Sequence, residues 1–216
     1  MRIAHAVLIA AVAACLPSLA AANDQRPTPS QWIQLNADKV LALENTPDPA
    51  KRYDEAKQLV QYFVDVQALS TFACARVCRS LTEDQTNLFR RDIADFIAIA
   101  YASSTPILSN LKWEIIGHDD SPPSATVLFG NDDGPAQSIT VRFIMRTTAD
   151  GYKITDITVS DISFAQKLRQ TVAQAFASAD TPGDALQAFS NQTDRARNAL
   201  FGVAQPRVQQ QNLGEL

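Results

Sequence analysis

The apolar residues of this chain change their period at Leu111. Between Pro27 and Ala102 they recur every three or four residues, the spacing of amphipathic helices. From Leu111 they alternate with polar residues, as in strands, and helical spacing returns after Ser163. Helices, then a run of strands, then helices predict an α+β fold in which helices pack on one sheet.

Four helix starts are predicted in the first half of the chain. Ser30 is expected to cap the first helix, and Asp48–Pro49 places aspartate at the N-cap and proline at N1 of the second. Asp65 begins the third, and Thr82–Gln85 forms a capping box for the fourth. Pro106 is expected to end that fourth helix, since the residue before a proline disfavours helical geometry.

The alternating region predicts a four-stranded antiparallel meander over about residues 110–160. Its turns are expected at Asp119–Pro123, Gly130–Pro135 and Asp150–Gly151. After the sheet, two further helices are expected over about residues 163–200. One face of this sheet is apolar: Leu111, Trp113, Ile115, Val127, Phe129, Ile139, Val141, Phe143 and Met145. The same pattern is produced by an ordinary filled core and by the wall of an apolar cavity, so both interpretations stay open.

The first 22 residues have the composition of a secretory signal peptide. Arg2 precedes an apolar run of about 14 residues, shorter than the roughly 20 that span a bilayer, and Ala20–Ala22 supplies a small-residue cleavage site. Cleavage before Asn23 would export the mature chain to the periplasm. A lipoprotein signal ending at Cys15 is the alternative. The predicted organisation is therefore a signal peptide at 1–22, one α+β domain at 23–204 with its helical part at about 30–105, and a disordered tail at 205–216.

The charge of the mature chain limits its partners. Removal of Arg2 takes the formal net charge from −4 to −5, and no basic block remains. This composition argues against nucleic acid as a partner and against stable binding to an anionic membrane surface. No later stretch approaches transmembrane length.

The mature chain keeps two cysteines, Cys74 and Cys78, four residues apart. On a continuous helix their Cα atoms would lie about 6 Å apart, near the long end of disulfide geometry. The favoured interpretation is therefore two small buried apolar residues, with a bridge as the alternative that export permits.

The motifs of common catalytic sites are missing from the sequence. There is no nucleophile elbow, P-loop, zincin motif or dinucleotide fingerprint. His118 is the one histidine of the mature chain, and it stands in a predicted turn beside Asp119–Asp120. These residues, like Asp132–Asp133, are interpreted as solvated turn residues, so no catalytic residue, metal site or cofactor is predicted and an enzyme is the weaker class.

Two stretches of the sequence have the motifs of one known protein family. Residues 64–79 read VDVQALSTFACARVCR, are followed by LTEDQ, and lead into a long helix that reaches Tyr101–Ala102. Residues 151–159 read GYKITDITV and are followed by DISF and Arg169. In order and spacing these segments resemble the pattern of the MlaC/toluene-tolerance family of periplasmic phospholipid-binding proteins over about residues 31–189. Cys74–Ala75 and Val77–Cys78 depart from it, as does Lys167–Leu168.

The resemblance implies a fold, a cargo and partners. The fold would be a nuclear-transport-factor-2-like sheet with added helices, and the cargo a phospholipid or other membrane lipid. The partners would be an inner-membrane ABC transporter complex and an outer-membrane lipoprotein complex. The residues expected to line a lipid cavity are Phe72, Phe96, Tyr101, Trp113, Val127, Phe129, Val141, Phe143, Met145, Val159 and Phe164.

Two arginines of the resembling segment, Arg76 and Arg79, are expected to face a lipid head group or a partner. A structural ion pair with an acid such as Asp65 is the alternative. Three other functions stay open for the chain as a whole: a carrier of hopanoid-type lipid, a protein-interaction module on the same fold without lipid, and an enzyme.

Overall fold

The structure is a computed structural model that describes residues 26–108, 111–130 and 138–202. Its helices are α1 (Pro29–Leu41), α2 (Pro49–Phe63), α3 (Val66–Cys74), α4 (Glu83–Leu108), α5 (Phe164–Ala177) and α6 (Pro182–Leu200). Short 3₁₀ helices cover Ala42–Asn45 and Val77–Ser80. The strands are β1 (Lys112–Asp120), β2 (Pro123–Gly130), β3 (Ile139–Thr148), β4 (Gly151–Val159) and β5 (Ile162–Ser163). The predicted signal peptide, the Gly130–Pro135 turn beyond Gly130, and the tail lie outside the described residues.

The predicted α+β class is confirmed, with one strand more than expected. The sheet is an antiparallel meander in the order β1-β2-β3-β4-β5. The fifth strand is two residues long and pairs Thr158 with Ser163 and Val159 with Ile162. Ser163 is also the N-cap of α5, where its hydroxyl accepts a hydrogen bond from Gln166 N at 3.1 Å. One residue therefore both ends the sheet and begins the helix.

Local capping explains where most helices begin. The carboxylates of Asp48 and Asp65 accept the main-chain N–H groups of Lys51 at 2.7 Å and Ala68 at 2.9 Å, as predicted. The cap of α1 was predicted at Ser30 but lies at Thr28, which forms a capping box with Gln31.

Ser30 has a different role in the structure. It lies one residue inside α1, and its hydroxyl donates to Gly117 O of β1 at 3.3 Å. This bond attaches the start of α1 to the sheet.

The turn predicted at Asp119–Pro123 is shorter than expected. The paired part of β1 runs to Asp120, and β2 begins at Pro123, so only Ser121 and Pro122 form the turn, with a cis peptide bond between them. Ser124 and Asp119 pair across this hairpin, and both contact Arg142 on β3. These contacts extend the ladder into residues whose composition resembles a loop.

The β3–β4 hairpin turns at Asp150–Gly151, as predicted. Gly151 has φ +119°, a backbone conformation that favours glycine, and it starts β4 opposite Thr148. A Cβ atom at this position would lie 3.0 Å from Nε1 of Trp32. Glycine therefore permits both the turn and the close approach of α1 to the end of the sheet.

The helices α2 to α6 form a core of their own beyond the β4 edge of the sheet. α2 and α6 pack on α4, α3 packs on α4 and α5, and α5 packs on α6. Phe89, Ile93 and Phe189 are almost fully buried there. The carboxylate of Asp95 on α4 forms ion pairs with Lys57 Nζ of α2 and Arg197 Nη2 of α6, each with an N–O distance of 2.9 Å. One carboxylate therefore joins three helices. In the described ranges no helix is both long and apolar enough to cross a membrane.

The edge of β4 is where this helical part joins the sheet. Val64 makes a parallel bridge to Ile154, and Asp65 N donates to Ile154 O at 2.8 Å. Lys153 Nζ donates to Gln61 O at 3.0 Å, at the carboxyl end of α2. The junction between α2 and α3 therefore lies alongside β4.

Candidate functional site: a partly covered apolar sheet face

Apolar side chains form cross-strand rows on one face of the sheet. In the first row Trp113 pairs with Phe129, which pairs with Ile139. A second row runs through Ile115, Val127, Val141 and Val159 across four strands, and a third joins Ala125, Phe143 and Ile157. Directly paired residues project from the same face of a sheet, so these rows make one apolar surface, which we call the apolar face.

The coverage of the apolar face changes along the second row. Val127 is 2% exposed and Val141 9%, whereas Val159, at the end of β4 beside β5, is 42% exposed. Trp113 and Phe129, in the first row, are half-buried. Two large aromatic side chains and a valine therefore keep part of their apolar surface open next to a buried centre.

The other end of the same face is filled. Trp32 of α1 contacts Phe63 and Tyr152 edge to face, with ring centroids 5.5 and 6.0 Å apart. Met145 and Ile154 are buried beside them. This small core holds α1 and the end of α2 against β2, β3 and β4, and it leaves the rows through Trp113 and Val127 outside it.

The structure distributes the predicted lining residues over four environments. The sheet rows hold Trp113, Val127, Phe129, Val141, Phe143 and Val159. Met145 belongs to the small core around Trp32, which Phe143 also borders. Phe96, Tyr101 and Phe164 pack against the helical core, and Phe72 is 37% exposed on α3.

Three of these residues are tied to the helices. The rings of Phe96 and Phe164 stack with centroids 6.4 Å apart, which connects α4 to the start of α5. The hydroxyl of Tyr101 donates to Val40 O at 2.8 Å, and burial raises the pKa of Tyr101 well above its ordinary value. Tyr101 is thus a fixed hydrogen-bonded link between α4 and α1.

The apolar face also contains residues outside the predicted lining. Ile115 and Ile139 were assigned to the apolar side of the strands by their alternation, but not to the lining. Ile157 could not be placed from alternation, because the register shifts between Ile144 and Met145 on β3, opposite Thr155 on β4. This bulge brings Ile154 and Ile157, three residues apart, to the same face.

The opposite face of β3 carries polar side chains on either side of Ile144. Arg142 donates from Nη2 to Asp119 Oδ2 at 2.7 Å and from Nε to Ser124 Oγ at 3.2 Å. Ser124 in turn donates to Asp119 Oδ2 at 3.0 Å. The two faces of one strand therefore differ in chemistry.

The arginines that follow α3 do not pair with Asp65. Arg76 and Arg79 are exposed, and their side chains make no hydrogen bond or ion pair with any residue that the structure describes. Asp65 instead accepts from Arg146 Nε at 2.8 Å and forms an ion pair with the same guanidinium. The alternative of a structural ion pair between these arginines and Asp65 is therefore wrong.

Cys74 and Cys78 form a disulfide, contrary to the favoured interpretation. The reason is that α3 ends at Cys74 and the chain turns at Ala75, whose φ is +47°. The two residues therefore do not share one helix, and their Cα atoms lie 5.4 Å apart, within disulfide range.

The polar residues considered for catalysis are dispersed. His118 is exposed on β1, not in a turn, and Asp119 is engaged by Arg142. Among residues 26–108, 111–130 and 138–202, no group of three histidine, cysteine or acidic side chains is placed to hold a metal ion.

The fold is that of an α+β protein in which α1 packs on an antiparallel meander and the other helices lie at its β4 edge. Within that class the chain belongs to the MlaC family, since the family model described as MlaC protein matches residues 36–188. A solved structure with a similar fold is a phospholipid-binding protein from Ralstonia solanacearum in complex with a phospholipid. It is 16% identical, has a TM-score of 0.67, and the match covers 79% of this chain and 99% of that one. No curated protein matches the chain in sequence.

Proposed function

We propose that this protein is a non-enzymatic carrier of phospholipid in the periplasm, with the acyl chains held against the apolar face. The single observation that carries the proposal is the uneven coverage of that face, where half-buried Trp113 and Phe129 adjoin buried Val127 and Val141. Apolar surface that stays partly open beside a buried centre can be covered by a bound apolar ligand, since ligand sites are lined mainly by apolar and aromatic side chains. Membership in the MlaC family and the phospholipid bound to the structurally similar protein point to the same cargo.

The chemistry of the face suits acyl chains. Each CH₂ group transferred from water to an apolar surface contributes roughly 0.8 kcal/mol, so a few methylenes on the rows through Trp113 and Val127 give useful affinity. The face offers aromatic and branched aliphatic side chains, while the charged group of Arg142 lies on the other side of β3. A lipid head group would stay outside, within reach of solvent or of a receiving membrane protein.

The proposed lining is the set of residues that share the apolar face, together with three aromatic side chains that pack against the helical core. From the sheet these are Trp113, Ile115, Val127, Phe129, Ile139, Val141, Phe143, Ile157 and Val159, and from the helices Phe96, Tyr101 and Phe164. Met145 would close the inner end of the site, because it packs in the small core beside Trp32.

The proposed route is transfer between membranes. The predicted signal peptide places the mature chain in the periplasm, and an inner-membrane ABC transporter complex and an outer-membrane lipoprotein complex are the proposed donor and acceptor. Amino-terminal sequencing of protein recovered from the periplasm tests the location, with Asn23 expected as the first residue.

The experiment that tests the cargo is native mass spectrometry of protein expressed in the periplasm, with organic extraction and lipid identification. One or two phospholipids per chain that survive gentle purification are expected. A clean mass without lipid, from protein with a cooperative unfolding transition, would contradict the proposal and favour a protein-interaction module. A polycyclic lipid in the extract would replace phospholipid by a hopanoid-type cargo.

A further inference from the structure

The surface at the end of α3 carries positive charge without an internal counter-charge. Arg76 and Arg79 are exposed and make no side-chain hydrogen bond or ion pair within the described part of the chain. Arg169 of α5 is also exposed, and its guanidinium lies over the ring of Phe72, 5.2 Å from the centroid. The whole chain has a formal net charge of −4, so this is a local reversal of its sign.

The backbone brings two of these charges together. Arg76 is the N-cap of the 3₁₀ helix Val77–Ser80, and Arg79 N donates to Arg76 O at 3.2 Å. Side chains three residues apart eclipse each other in a 3₁₀ helix, so both guanidinium groups leave the turn on the same side. Two adjacent like charges repel, and an external anion removes that repulsion.

The disulfide holds this turn on the helical core. Cys74 is almost fully buried in that core, Cys78 packs against it, and the bond between them closes the segment that carries Arg76. A loop held in this way loses little conformational entropy on binding, which favours affinity.

Phe72 and Arg169 add the side-chain types that dominate protein interfaces. Phe72 is 37% exposed on α3, which packs against α5. Aromatic side chains and arginine are enriched at interface cores. An arginine stacked on a ring keeps its N–H edge free for a carboxylate, which it can bind through two parallel hydrogen bonds.

We propose that Phe72, Arg76, Arg79 and Arg169 form a docking surface for an acidic protein partner. A protein is favoured over a membrane because three arginines fall below the four to eight basic residues typical of sites for anionic lipid. The net negative charge of the chain opposes a membrane surface as well. The inference rests on the proposed function for its purpose, since a carrier must dock to exchange lipid, but its test needs no lipid.

The test is an NMR titration of the full mature chain with a hexaglutamate peptide at low salt. We expect saturable amide shifts confined to residues 72–79 and to α5 around Arg169. Arg76→Glu/Arg79→Glu should weaken binding about tenfold or more, as loss of paired charges does at interfaces. The matched control Arg26→Glu/Arg195→Glu makes the same change in net charge at exposed arginines elsewhere and should change binding less than about twofold.

A second variant tests the contribution of the disulfide. Cys74→Ala/Cys78→Ala should weaken peptide binding several-fold if the closed turn organises the arginines, with its fold checked by circular dichroism. Equal loss in the control pair, or no saturable shift at residues 72–79, would overturn the proposal. So would the same shifts with inorganic phosphate alone, or arginine-dependent sedimentation with phosphatidylglycerol vesicles.

The lipid content of Arg76→Glu/Arg79→Glu separates this inference from the proposed function. An unchanged lipid content with lost peptide binding supports a docking surface. Lost lipid with retained peptide binding would make the two arginines head-group contacts and overturn it. Peptide binding by a wild-type chain that carries no lipid would leave the docking surface standing and the carrier function refuted.

Discussion

Arg52 Nε donates a hydrogen bond of 2.9 Å to the main-chain oxygen of Ala102, the acceptor that Pro106 leaves without its helical donor. In an α-helix the N–H of residue 106 would bond to the oxygen of residue 102, and proline has no N–H. Arg52 also donates from Nη1 to Thr46 O at 3.0 Å, which fixes its position. The fourth helix, predicted to end before Pro106, therefore continues to Leu108.

Replacement of this donor should destabilise the protein. Arg52→Met is expected to lower the free energy of unfolding by about 1–3 kcal/mol, because it leaves the half-enclosed Ala102 carbonyl unpaired. Urea denaturation measures the change, with Arg195→Met as an exposed control that should change it by less than about 0.5 kcal/mol. Addition of Pro106→Ala should recover part of the loss by restoring the helical N–H, and a double variant no more stable than Arg52→Met would refute the explanation.

The environment of the Asp65 carboxyl group predicts that the protein loses folding stability in acid. Burial by itself raises the pKa of Asp65, but the N–H of Ala68 and the guanidinium of Arg146 outweigh it and the pKa is lowered from its ordinary value. A carboxyl with a lowered folded-state pKa stabilises the protein above its unfolded pKa of about 3.9, and this contribution is lost as the pH falls through the folded pKa. Asp65→Asn keeps the cap but removes the charge, so it should cost about 1–2 kcal/mol at pH 7 and less as the pH falls below 4.

The matched control for this variant is Asp48→Asn. Asp48 is also an N-cap aspartate, exposed, and makes no ion pair with the described residues. Asparagine and aspartate cap about equally well, so its effect at pH 7 should stay below about 0.5 kcal/mol. Equal effects of the two substitutions across the pH range would show that the Arg146 pair contributes nothing.

The environment of the Asp92 carboxyl group predicts the opposite dependence of folding stability on pH. Burial raises its pKa, the hydrogen bond from Ser190 opposes this, and the carboxylates of Asp95 and Asp194 raise it further. One carboxyl oxygen of Asp92 is buried without a hydrogen-bond partner among the described residues. A raised folded-state pKa stabilises the protein below the unfolded pKa, and that contribution is lost as the pH rises through the folded value.

Removal of the charge at this position should therefore stabilise the protein at neutral pH. Asp92→Asn is expected to gain about 1 kcal/mol at pH 7. The gain should shrink as the pH falls through the raised folded-state pKa towards the unfolded value of about 3.9, because the wild-type carboxyl then takes up its proton. Thermal unfolding at pH 7 and pH 3.5 measures both values. A variant less stable than wild type at pH 7 would mean that Asp92 has a partner when ionised.

Features set by neighbours in sequence could be predicted from the sequence. Asp48 and Asp65 cap helices because their carboxylates reach an N–H three residues on, a contact that depends only on the local chain. Thr82 and Gln85 bond each other's main-chain N–H groups for the same reason. The turn before Gly151 needs a backbone that glycine adopts readily. Such signals located most helices and the β3–β4 hairpin.

Features set by distant partners could not be predicted. The donor that lets α4 pass Pro106 comes from Arg52, which nothing in the local sequence indicates. The disulfide depends on a turn at Ala75, a residue type that rarely adopts a positive φ. The hairpin at residues 119–124 is held by Arg142 from the next strand. In each case tertiary contacts override a local preference.

The candidate site was predictable as a pattern but not in its coverage. Alternation places Trp113, Val127 and Phe129 on one face whether that face is packed or open, so the sequence cannot distinguish a core from a binding surface. The position of Ile157 on this face could not be predicted from the sequence either, because the bulge opposite Met145 breaks the two-residue period of β4. Phe72 is apolar yet lies partly exposed on α3 beneath Arg169 of α5, a contact that the local sequence does not indicate.

The two sides of β3 allow the cargo proposal to be tested within one strand. Val141 projects from the apolar face and is 9% exposed, whereas its neighbour Thr140 is exposed on the opposite face. Val141→Trp should fill space on the apolar face and reduce the co-purifying lipid at least several-fold, at a cost in stability of about 1–3 kcal/mol from overpacking. Thr140→Trp adds the same indole to the other side and should leave the lipid content unchanged.

Native mass spectrometry of both variants measures their lipid content, and circular dichroism establishes that each is folded. If Val141→Trp does not fold, Phe143→Trp takes its place. Equal lipid content in the wild type and a folded variant of the apolar face would show that the acyl chains lie elsewhere.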